Sequence, residues 1–140
     1  MSSIAFRLAN LAEGLSTDGV ISAAKGGTGT TSGTAGGYIN LSMPGAITPP
    51  FTGVARFYPT TALSLTTVYA NISGSANGNL NFIIKKNGTS IGTTFTISSG
   101  TSVMTPVVIN VSLTTNDYLT LDVTGTATNA TDLFVRLKYL

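Results

Sequence analysis

Apolar and polar residues alternate one for one through most of the chain after Tyr38. Val107, Ile109, Val111 and Leu113 share one face of their stretch, as do Leu119, Leu121 and Val123. Leu133, Val135, Leu137 and Tyr139 share another, with Arg136 and Lys138 pointing the opposite way. A period of two belongs to a half-buried strand and cannot form the stripe of a helix. Eight such stretches are legible: Tyr38–Ser42, Gly53–Tyr58, Ala62–Ile72, Asn79–Lys86, Ser90–Ile97, Met104–Leu113, Asp117–Thr124 and Leu133–Leu140. Between them lie turn signals. Asn87-Gly88 supplies the positive φ of a tight hairpin, Thr114 to Asn116 with Asp117 make a second turn, and Pro59 closes the second strand. Nothing helical is at hand to cover the apolar faces, so they must pair across two sheets. The expected fold is all-β, an eight-stranded antiparallel jelly-roll sandwich over residues 38–140.

Composition agrees. Only 9% of residues are charged, and polarity comes from Thr, Ser and Asn. Thr packs well in strands, and so low a charge does not match ordinary disorder. Strand parity adds a geometric expectation. If successive strands run up and down, the tight connections 59–61, 87–89 and 114–116 share one end of the sandwich. The longer connections 43–52, 73–78, 98–103 and 125–132 share the other, away from the N-terminal segment.

Residues 1–37 differ in kind. Ile4, Leu8, Leu11 and Leu15 follow helical spacing, Ser2 or Ser3 can cap the start, and Gly14 can end the segment. A helix this short is marginal alone, so it either packs on its own domain or docks into a larger assembly or a bundle of copies. Residues 16–37 are a Gly-, Thr- and Ser-rich connector, extended or flexible by composition. They are not a phosphate loop: Lys25 precedes the glycines instead of following them. Gly27-x-Gly29 lacks the third glycine of a dinucleotide fingerprint, and strand formers follow it.

Two stretches carry a family resemblance. "ISAAKGGTGTTS" resembles the Lys-Gly-Gly-Thr-Gly segment of bacteriophage tail-fibre proteins, where it separates an N-terminal attachment part from distal modules. "GVARFYPTTALSLTTVYANISG", "NLNFIIKKNGTSI", "LTTNDYLTLDVTG" and "DLFVRLKYL" are similar to a β-sandwich module of phage and prophage virion proteins. The matches include Arg56 to Pro59, Lys86 to Thr89 and Asp117 to Val123; Asn116 replaces a glycine there and can also enter a left-handed turn. The resemblance implies a non-enzymatic structural or adhesive module of the virion, assembled in the host cytoplasm as a homotrimer. It implies a short tail fibre or receptor-binding adhesin. Ile4, Phe6, Leu8, Leu11 and Leu15 would attach it to baseplate, tail or capsid proteins. Lys25, Gly26, Gly27, Thr28 and Gly29 would form the tether. A capsid decoration (cement) protein or head fibre is the alternative, and a carbohydrate-binding module of a secreted bacterial protein is a third.

The side-chain inventory points the same way. There is no Cys and no His, which removes the thiolate nucleophile, the usual general base and the commonest metal ligand. Of the five acids, Asp117 and Asp122 fall on opposite sides of one strand, and Asp117 reads as a turn residue. Asp122, Asp132 and loop carbonyls are the one combination that could hold a hard cation, and nothing else supports it. No catalytic residue, metal or cofactor is expected. A net charge of +2 from scattered cations does not make a nucleic-acid surface. No apolar run is long enough to insert in a membrane, and no Sec leader is expected. Five Asn-x-Ser/Thr sequons, at Asn40, Asn71, Asn87, Asn110 and Asn129, follow from the abundance of Ser and Thr. For a host-surface glycan, Tyr58, Tyr69 and Tyr118 are candidates to stack on a sugar, although such a tyrosine is more often a core or inter-sheet residue. The loop residues Asn71, Ser75, Asn77, Asn79, Asn129 and Thr131 are the candidate receptor contacts.

Overall fold

The structure, a computed structural model, describes residues 36–140. The expected attachment residues Ile4 to Leu15 and the tether Lys25 to Gly29 lie outside the described residues. Eight strands follow in order: β1 (Gly37–Ile47), β2 (Phe51–Phe57), β3 (Leu63–Ser73), β4 (Leu80–Lys86), β5 (Thr89–Ile97), β6 (Val107–Leu113), β7 (Leu119–Gly125) and β8 (Ala130–Tyr139). They form two four-stranded antiparallel sheets, in the orders β1-β8-β3-β6 and β2-β7-β4-β5. The described residues form an all-β sandwich, as the alternation requires.

The boundaries depart from the sequence reading for local reasons. β1 continues past Ser42 to Ile47 because a register irregularity between Met43 and Ala46 absorbs Pro44 and Gly45. Pro44 is tolerated because β1 is an edge strand, where a missing N–H costs no ladder bond. β8 begins at Ala130 to pair with this extension, Ile47 opposite Ala130. β6 begins only after Pro106. In β3 a register shift between Leu65 and Thr67 resets the alternation, so Leu65 faces inward and then Val68, Ala70 and Ile72 do.

The inward faces make one core. Ile39 and Leu41 of β1, Leu133, Val135 and Leu137 of β8, and the β3 residues meet Leu80, Phe82 and Ile84 of β4 and Leu119, Leu121 and Val123 of β7. Each fully buried Leu, Ile or Phe contributes roughly 1.5–3 kcal/mol by leaving water. Phe82 and Phe95 are register partners on β4 and β5, and their rings stack with centroids 5.1 Å apart. The core thins toward the open side between the edge strands β5 and β6. There Ile91, Val107, Ile109 and Val111 are only partly buried.

The ends sort as parity predicts. Gly37 pairs with Tyr139, and Leu63 with Leu113, at the end that carries the 87–88 and 114–118 turns. At the other end Asn77 bridges Thr128, Gly100 N–H donates to the Ala76 carbonyl at 2.9 Å, and Thr126 N–H donates to the Asn79 carbonyl at 3.0 Å.

Gly125 shows how tightly that second end is built. It sits at φ +103°, and a Cβ there would strike the Asn79 carbonyl oxygen and come within 3.1 Å of the Asn81 nitrogen. The Asn79 carbonyl cannot yield, because it already accepts two backbone N–H groups, from Thr126 and Ala127. Gly74 has a similar φ of +77° but nothing within 4 Å of its would-be Cβ. Urea unfolding should therefore show Gly125→Ala losing about 2–4 kcal/mol, backbone strain plus overpacking, and Gly74→Ala about 1–2 kcal/mol from strain alone. Equal losses would mean that the Asn79 contact does not matter.

Candidate functional site

The long-connection end holds the loop residues expected to meet a receptor, and much of its polar chemistry is turned inward on the loops themselves. Asn79 Oδ1 accepts the Ser99 N–H at 2.9 Å, and Thr131 Oγ1 donates to the Ser73 carbonyl at 3.1 Å. The Asn77 backbone exchanges bonds with Thr128. Ser75 and Asn129 are exposed, Asn129 at φ +59°. Asn71 lies on the outer face of β3, half-buried and bridged to Val103 of the 98–103 connection. The six residues therefore do not form one surface.

The tyrosines do not enter the core. Tyr58 is 58% exposed, and Tyr69 and Tyr118 are half-buried on the outer side. The outward positions of β7 and β4 explain the grouping around Tyr118. With Leu119, Leu121 and Val123 inward, Thr120 and Asp122 must face out; with Phe82 and Ile84 inward, so must Lys85. The register places Lys85 beside Thr120 and Asp122 beside Ile83, so Lys85 reaches diagonally to Asp122 at 2.5 Å. Asp122 also accepts the Gly53 N–H from β2 at 2.8 Å. Burial alone would push this carboxyl up; Lys85 and the Gly53 amide outweigh it and hold the group below its ordinary value. β2 can offer that amide because its ladder to β7 is irregular, with Gly53 at φ +66° and Ala55 at +51°.

Together these residues line a shallow depression of about 190 Å³ on the outer face of the second sheet, with Thr52, Gly53, Arg56, Lys85, Tyr118 and Asp122 around it. The Arg56 guanidinium lies 5.1 Å from the centre of the Tyr118 ring and donates to the Tyr58 hydroxyl at 3.3 Å. The Tyr58 and Tyr118 rings sit 5.9 Å apart and tilted by 43°. The groove and the exposed Tyr58 ring beside it thus offer an ammonium, a guanidinium, a carboxylate, hydroxyls and an aromatic face. Such a set can hydrogen-bond sugar hydroxyls in both directions and stack on a C–H face. Asp122 and Asp132 do not converge on a cation: they lie on different sheets, and Asp132 Oδ1 accepts the Gly45 N–H at 2.7 Å.

Behind the groove, the two short turns are tied together by Asp117 and Asn87. Asp117 accepts the Thr114 N–H at 2.7 Å and the Asn87 side-chain amide at 2.6 Å, with Lys86 Nζ at 3.2 Å. Asn87 Oδ1 accepts the Tyr118 N–H at 2.9 Å, which fixes the backbone from which the ring projects. Lys86 also donates to the Ser112 carbonyl across the sandwich at 2.8 Å. No family model matches the chain. No curated protein matches it either.

The Thr114 amide, then the Asn87 amide, hold the Asp117 carboxyl well below the usual carboxylate range. A depressed folded-state pKa contributes stability that is present above the unfolded value of about 3.9 and is lost as the pH falls toward the folded one. Asp117→Asn should lower the melting temperature at pH 7, and the gap from the parent should narrow steadily below about pH 4. Thermal melts at about pH 7, 4 and 2.5 check this; a gap independent of pH would assign the loss to shape instead of charge.

Proposed function

We propose that the chain is a non-enzymatic virion protein: a short trimeric tail fibre or receptor-binding adhesin whose sandwich presents the groove of the second sheet to a host-surface glycan. The carrying observation is the groove, where the Lys85–Asp122 pair and Arg56 lie side by side, with the exposed Tyr58 ring next to Arg56. The strand orders β1-β8-β3-β6 and β2-β7-β4-β5 support reading the sandwich as a jelly roll, two Greek keys wound together. The resemblance of residues 21–32 to a tail-fibre tether supports a virion location, with residues 1–37 as the attachment part. In this reading single sites are weak, and several copies on one particle raise overall avidity.

One observation favours the capsid decoration or head-fibre alternative. β6 is an edge strand without charge, and its Val108 is 83% exposed. An edge left this bare can pair with a strand of a neighbouring subunit.

Gold labelling with antibody against residues 38–140 should mark the tail end of particles that carry the protein. Excess free protein should then slow their adsorption to host cells. Tyr58→Ala and Arg56→Ala, both on exposed side chains, should each weaken that competition by about tenfold with the melting temperature unchanged. Label scattered over the head, with adsorption unaffected, would overturn the adhesin reading in favour of decoration.

A further inference from the structure

The opposite face of the sandwich carries a second surface that the groove does not explain. On the first sheet the outward positions of β1, β8 and β3 fall into register. Tyr38 lies opposite Lys138, Asn40 opposite Arg136, and Arg136 opposite Tyr69. Tyr38 and Tyr69 stand on the two strands flanking β8, and their rings lean over it to meet edge-on, with centroids 6.1 Å apart. Arg136 projects from β8 between them. Its guanidinium lies 5.6 Å from the Tyr38 ring centre and 5.7 Å from that of Tyr69. Tyr38 is 53% exposed and Phe134, the next outward residue of β8, is 45% exposed.

The charge on this face is one-sided. Arg136 and Lys138 both point outward and are exposed, and among the described residues neither forms an ion pair. Among the described residues the only carboxylate side chain on the sheet is Asp132, four residues before Arg136 on β8, and one of its oxygens is held by the Gly45 N–H. Four residues of strand separate the two by roughly 13 Å. A guanidinium set between two rings gives up side-chain freedom, and because Arg136 is exposed its N–H fork is accessible to a ligand. That fork matches a carboxylate with two parallel hydrogen bonds.

We propose that this face binds an acidic saccharide, with a ring carboxylate on Arg136, a following acidic residue near Lys138, and pyranose C–H faces against Tyr38 and Phe134. The amides of Asn40 and Asn71, outward on β1 and β3, are placed to bond ring hydroxyls. Two cations on a flat face are too few to track a nucleic-acid backbone, which favours the saccharide over a single-stranded polynucleotide. The site is independent of the groove on the second sheet, so either can fail without the other.

The test uses the full chain and titration by calorimetry or amide chemical shifts. The probes are an oligogalacturonate, the matching neutral galactose oligomer, a sulfated oligosaccharide and a short oligothymidylate. The oligogalacturonate should bind, the neutral oligomer at least about tenfold more weakly, and rising salt should weaken the first far more than the second. Arg136→Gln should cost about tenfold or more in affinity for the acidic probe. Arg136→Lys should restore little of it, since the charge returns without the fork. Thr94→Ala, exposed on β5 of the other sheet and outside the groove, should leave it unchanged. Equal affinity for acidic and neutral oligomers, indifference to Arg136→Gln, or tighter binding of the sulfated probe or the oligothymidylate would each overturn the proposal.

Discussion

Each sheet of this protein keeps its apolar face out of water only by pressing it against the other. Among the described residues there is no helix to take either role, so Phe82, Ile84, Leu121 and Leu133 must all be satisfied in the single layer between the sheets. That requirement dictates where everything else goes. Polar and charged side chains are left the outer faces, the two ends and the open edge, and both proposed binding surfaces lie on outer faces.

The scarcity of charge sharpens this division. Lys85 and Lys86 are adjacent in sequence and on opposite sides of β4, and each has one carboxylate, Asp122 on the outer face and Asp117 at the end. Both carboxylates are nearly buried and also hold backbone amides. They act as clamps between segments more than as sources of surface charge. Once they are so engaged, the arginines Arg56 and Arg136 stand against tyrosines instead of acids. The two outer faces therefore repeat one motif, an arginine beside two tyrosines, but only one adds a carboxylate within reach.

Much of the fold was legible because the alternation states directly which residues point inward. Strand parity also sorted the connections between the two ends, since it depends only on counting. What the sequence could not show was which strands are neighbours. The outward positions of Lys85 and Asp122 follow from alternation, but their meeting depends on β4 lying next to β7, strands separated by two others in the chain. Tyr38 and Tyr69 are brought together in the same way, by β8 slotting between β1 and β3. The tyrosines stayed ambiguous because one polar atom suits either a core edge or an outer face. Pro44 and Gly45 suggested that β1 had ended, because a local irregularity in an edge strand leaves the same signals as a loop.

The pairing of Gly37 with Tyr139 has a mechanical consequence. β1 runs antiparallel beside β8 from Gly37 to Ile47, paired on both sides of the irregularity at Pro44 and Gly45. Suppose a pull enters at Gly37 and is resisted on the second sheet or at the far end. It then travels along the strand axis and must slide β1 past β8 as a whole, so the rungs of that ladder share the load. A pull applied between Gly37 and Tyr139 would instead part the same ladder one rung at a time, from that end. The sandwich is thus built to be stiff toward tension along its first strand and weak toward peeling at its seam.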